Sequence, residues 1–74
     1  MTDYDAIGIC EGFVENPGKT EDEQRTIEIA AWQHLIDTGL CWKLQGWFGR
    51  RAHALITEGI CKPGAHEVPA LWRG

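Results

Sequence analysis

The 74-residue chain has no long apolar run, a single methionine, one tyrosine, two phenylalanines and no excess of basic residues. No stretch approaches the ~18–20 apolar residues that a membrane-spanning helix requires, so no membrane partner is expected. Seven Lys+Arg against eleven Asp+Glu leave a net charge of −4. The chain as a whole therefore lacks the positive field that draws proteins onto nucleic acid. Cys10, Cys41 and Cys61 form no CxxC pair, and an odd count closes no disulfide framework. Reduced thiols in a reducing compartment are the expectation. The start, Met1-Thr2-Asp3-Tyr4-Asp5, is acidic and lacks the basic opening and apolar core of a signal peptide, which points to the cytoplasm. The length leaves room for one domain, 1–74, and excludes a multi-domain enzyme.

Chemistry-bearing motifs are missing too. There is no nucleotide loop, no paired catalytic carboxylates, no serine elbow and no zinc-protease pattern, so neither an enzyme nor a cofactor is expected. Structural zinc usually takes close ligand pairs, whereas the tightest mixed pair among the cysteines and His34, His53 and His66 is Cys61 with His66. No metal is expected. Cys41, Cys61 and His66 are the residues on which a weaker reading, a metal- or redox-linked module, rests.

What is present is ordinary globular composition, 43% hydrophobic and 24% charged, with four tryptophans. Residues 1–19 show no clean period. Ile7, Ile9, Phe13 and Val14 are apolar, Gly8 and Gly12 interrupt them, and Asn16-Pro17-Gly18 signals a turn. This part reads as a short helical or irregular arm. Thr20-Glu21-Asp22-Glu23 has capping-box spacing with acids at the positive end of the helix dipole. Ile29, Trp32, Leu35 and Ile36 follow at helical spacing, with Ile27 and Ala31 flanking the stripe, and Gly39 fits the left-handed position after a helix end. The first helix is therefore placed at Glu21–Thr38.

A second helix begins between Trp42 and Trp47. Its stripe is Leu44, Trp47, Phe48, Ala52, Leu55 and Ile56, and Gly59 supplies its stop. Lys62-Pro63-Gly64 and Pro69 end regular structure, leaving a tail with Trp72. Leu35-Ile36-Asp37-Thr38-Gly39-Leu40-Cys41 is echoed twenty positions on by Leu55-Ile56-Thr57-Glu58-Gly59-Ile60-Cys61, one helix-ending solution used twice. The expected fold is all-α: a helix-turn-helix-like hairpin over 20–59, an arm over 1–19 and a tail over 60–74. Two helices of about four turns offset chain entropy poorly, which makes a two-fold homodimer the expected remedy.

Charge is uneven along the chain. Up to Cys41 there are nine acids and two bases; after it there are five bases (Lys43, Arg50, Arg51, Lys62, Arg73) and two acids. Such asymmetry steers an acidic surface toward a basic partner or pairs two copies head against tail, and it equally serves as a solvated face. Leu44-Gln45-Gly46-Trp47-Phe48-Gly49-Arg50-Arg51 is the most distinctive string. As a recognition helix it would turn Gln45, Arg50 and Arg51 to DNA. Against this, the acidic start of the first helix repels phosphate. The simpler reading places Trp47 and Phe48 in the core, with Arg50 and Arg51 solvated or paired with acids.

The segment from Trp32 to Gly59, including Leu35-Ile36-Asp37-Thr38-Gly39-Leu40, Leu44-Gln45-Gly46 and Gly49-Arg50, resembles short uncharacterised proteins of tailed bacteriophages and prophages with a core LIDTGLxWxLQGxxGRxAxxLIxxG. The resemblance implies a phage setting and a helical hairpin, and no particular activity. The leading functional expectation is a small non-enzymatic accessory protein of the bacterial host cytoplasm. It would bind and modulate a host protein, such as a defence or transcription component, through Trp47, Arg50, Arg51 and Trp72. The alternative is a DNA-binding regulator using Gln45, Arg50 and Arg51.

Overall fold

The computed structural model describes residues 1–44 and 46–64, and the described chain is all-helical. Helix α1 spans Asp3–Glu11, α2 Glu21–Thr38 and α3 Gly46–Thr57, with a short 3-10 turn at Leu40–Trp42 between the last two. None of these helices is long and apolar enough to cross a membrane. The bounds of α2 are those the sequence implies. Thr20 Oγ1 accepts from the Glu23 N–H at 3.1 Å, and Glu23 Oε2 accepts from the Lys19 N–H at 2.8 Å. The side chain thus reaches one residue beyond the position a standard capping box would satisfy.

Of the two readings of the arm, the short helical one is the outcome: 1–19 begins with a nine-residue helix rather than an irregular segment. Thr2 caps it by accepting from the Asp5 N–H at 3.1 Å. Its buried residues are Ala6 and Gly8, too small to produce a visible apolar period. α1 lies close along α2, where Ala31 is fully buried, and at Gly8 the return folds back so closely that a Cβ would collide with Val14. The return between the two helices is fastened to the start of α2. Asn16 Oδ1 accepts from the Gly18 N–H at 2.9 Å, Asn16 Nδ2 donates to the Gln24 carbonyl at 2.9 Å, and Gln24 Nε2 donates to the Gly18 carbonyl at 3.1 Å.

α3 meets α2 differently. Few of their Cα atoms come within 8 Å of one another, because large rings stand between them. The Trp32 ring centroid lies 5.8 Å from that of Phe48 and 6.1 Å, edge-on, from that of Trp47. Ala31, Trp32, Leu35, Ile36, Phe48, Ala52 and Leu55 form the core with Ala6, Cys41 and Cys61. Both echoed helix ends behave alike. Gly39 (φ 78°) and Gly59 (φ 77°) are left-handed, and their N–H groups donate to the Ile36 and Ile56 carbonyls at 3.1 and 3.0 Å. The second end adds the Ile60 N–H donating to the Leu55 carbonyl at 2.9 Å, the full Schellman pattern. After each end the cysteine, Cys41 or Cys61, turns into the core.

These ends are testable. A Cβ at Gly59 would meet no atom within 4 Å, so Gly59→Val isolates backbone strain. We expect a loss of about 1–2 kcal/mol, the cost of holding a β-branched residue left-handed. Gly39 is buried, so Gly39→Val should lose at least as much. Thermal melts of both variants check this; wild-type melting would contradict the positive φ at both ends.

Candidate partner-binding face

The sequence brings forward Trp47, Arg50 and Arg51, and the structure sets all three on the first half of α3. Trp47 and Phe48, adjacent in sequence, separate in role. Phe48 is buried at 1% exposure, whereas Trp47 keeps 36% of its surface open and stacks on Phe48 with centroids 4.0 Å apart. The reading of both rings as core is therefore corrected for Trp47. Its indole is held from two sides, by Phe48 beneath and the edge of Trp32 beside it, and still faces solvent. A large ring fixed in this way loses little further freedom on binding, which is what an interface anchor needs.

Arg50 and Arg51 are exposed, and neither is paired with an acid among the described residues. Of the two expectations for them, solvated rather than paired is the outcome. Arg51 also lines a cleft of about 120 Å³ between α2 and α3, together with Arg25, Glu28, Ile29, Trp32, Leu55 and Ile60. Ile60 is 36% exposed. Its contribution was not evident from the sequence, where the apolar residue after Gly59 reads only as packing back onto its helix. Gln45, His66 and Trp72 lie outside the described residues.

Cys41 and Cys61 are buried in the core, and Cys10 is half-buried against it. Among the described residues no group of three or more His, Cys, Asp or Glu is arranged to hold a metal ion. Burial pushes the Cys10 thiol up to about 12, with the Glu28 carboxylate adding to the effect, and burial pushes Cys41 up to about 12 as well. Cys61 is also raised, by burial first and then by Asp37, with Arg51 opposing. A thiol pushed up to about 12, as Cys10 and Cys41 are, carries almost no thiolate at neutral pH.

The same shifts set a pH dependence. Cysteines of the unfolded chain ionise near 8.5–9, while the folded chain retains these protons. The contribution of these thiols to stability is therefore complete below about pH 8.5 and is lost as the pH rises toward 12. Melts from pH 7 to pH 11 should decline only above about 9. A Cys10→Ala, Cys41→Ala variant should close part of its gap to wild type over that range; a constant gap would contradict the assignment.

Comparison with known proteins adds one relationship. No match is found among curated proteins or among solved structures. A family model described as a domain of unknown function, DUF7417, matches residues 17–72. That span takes in the Pro17 turn, α2, the 3-10 turn and α3 with its Trp47, Arg50 and Arg51. With well over half its length matched, the chain belongs to the DUF7417 family.

Proposed function

We propose that this chain is a small, non-enzymatic phage accessory protein that binds a host protein in the bacterial cytoplasm and modulates it, and that it forms a homodimer when no host protein is bound. The observation that carries the binding role is Trp47: a pre-positioned, half-open aromatic ring beside two exposed arginines on one helix. Aromatic and arginine side chains of this kind supply most of the energy in protein interfaces. The phage setting rests on the resemblance of the Trp32–Gly59 string.

DNA binding is the second reading, and the exposure of Arg50 and Arg51 favours it. Two features weigh against it. α2 ends at Thr38 and α3 begins at Gly46, a separation longer than the three- or four-residue turn of a DNA-binding helix pair. The first turn of α2 also presents Glu21, Asp22 and Glu23, which repel a phosphate backbone. Affinity capture from bacterial lysate with mass spectrometry, beside a duplex titration at two salt concentrations, separates the readings. One host protein retained by wild type, with no duplex binding, supports the first. Salt-sensitive duplex binding abolished by Arg50→Ala with Arg51→Ala sinks it.

A further inference from the structure

A second surface lies on α1, the return after it and the first turns of α2. Met1, Ile9, Val14, Pro17 and Ile27 line a mainly apolar cleft of about 400 Å³ together with Asp5 and Glu15. A neighbouring cleft of about 350 Å³ shares Pro17 and Ile27 and adds Asp22 and Glu23. Phe13, on the same return, is 84% exposed. Among the described residues, no lysine, arginine or histidine lines either cleft. Four carboxylates around one apolar surface repel a copy of that surface and attract an apolar surface carrying cations.

The chain itself carries such a complement. From Thr38 to Thr57 the sequence holds no acidic residue, and within this span Trp47, Arg50 and Arg51 are exposed on α3. We infer that the acid-lined cleft of one copy receives the Trp47–Arg50–Arg51 face of a second copy. The contact joins two different patches, so two copies related by a two-fold axis make it twice and close the pair. This rests on the face assigned above to the host protein, which then competes with the second copy for Trp47. Self-association is thereby a built-in cover for the binding face.

Sedimentation of the full chain at roughly 10–100 µM tests this, in about 50 mM and about 500 mM salt. Wild type should dimerise at low salt and weaken by about tenfold or more at high salt, since exposed charge pairs are screened. Arg50→Glu with Arg51→Glu opposes acid to acid, and Asp5→Lys, Glu15→Lys and Asp22→Lys together, leaving only Glu23 acidic at the clefts, oppose base to base. Each charge-reversed variant, checked for helix content by circular dichroism, should be monomeric alone. Mixed in equal amounts, they restore opposite charges at both contacts and should form a heterodimer. A wild type monomeric throughout, a dimer indifferent to salt and to both charge-reversed variants, or monomeric variants that stay apart when mixed each overturns the proposal. Host capture by a monomeric wild type would leave the binding role standing while removing this one.

Discussion

Phe48→Ala should bring the chain close to unfolding. Phe48 is the largest fully buried side chain among the described residues, at 1% exposure, and it touches both Trp32 and Trp47. Replacing a buried phenylalanine by alanine costs about 3–5 kcal/mol, through lost transfer energy and the cavity left behind. A domain of this length has only about 4–11 kcal/mol in total. Because each kcal/mol moves the midpoint of so small a domain by about 4–8 °C, the melting temperature should drop by at least about 12 °C. Phe48→Leu, which keeps most of the volume, should cost less than about 1.5 kcal/mol. The contrast is diagnostic here, since Phe48 rather than backbone contact fills the space between α2 and α3. A Phe48→Ala melt within a few degrees of wild type would mean the helices close over the gap.

The second large effect concerns binding. Trp47→Ala should weaken the host complex by about thirtyfold or more, since truncating a central aromatic anchor costs ~2 kcal/mol or more. Its effect on stability should be much smaller than that of Phe48→Ala, because the Trp47 ring is already partly in water. Arg50→Ala and Arg51→Ala should each weaken the complex less, as solvated charges at a rim contribute chiefly to association rate and salt dependence. Titration of purified partner with each variant, paired with a melt, separates the two kinds of loss. Equal losses in affinity from Trp47→Ala and from a distant exposed change such as Tyr4→Ala would remove Trp47 as the anchor.

The elements differ in how far the sequence announces them. α2 was legible to the residue because Thr20, Glu23 and Gly39 each do a job that few other side chains do as well, and its apolar stripe is strong. α1 carries the same punctuation, Thr2 before Asp5 at one end and Gly12 (φ 87°) at the other. Without an apolar period between them, those marks leave a short helical and an irregular arm both open, since the buried Ala6 and Gly8 are too small to show a stripe. The site was half legible. Residue type and spacing placed Trp47, Arg50 and Arg51 on one helix, but adjacent aromatics at one edge of a stripe do not declare which turns inward. That choice depends on Trp32, fifteen positions earlier, whose ring meets both. The cleft beneath Ile60 depends likewise on α2 and α3 being held apart by rings, which no local pattern encodes.

The amide of Gln33 has a wider consequence. It donates to the Lys62 carbonyl at 2.9 Å and accepts from the Lys62 N–H at 2.8 Å, gripping both backbone groups of one residue as a neighbouring strand would. Two residues on, a Cβ at Gly64 would come within 2.6 Å of the Ile36 carbonyl oxygen, so the chain here lies flat against the helix backbone. α3 is thus a staple with both legs driven into α2, one through the turn at Gly39 and the other through Lys62. Neither leg can lift without straining the span between them, so the described part of the chain after α2 should open as one unit rather than fray from its end. A partner that grips α3 then pulls on the middle of α2 as well, and the mechanical load of binding reaches the core directly.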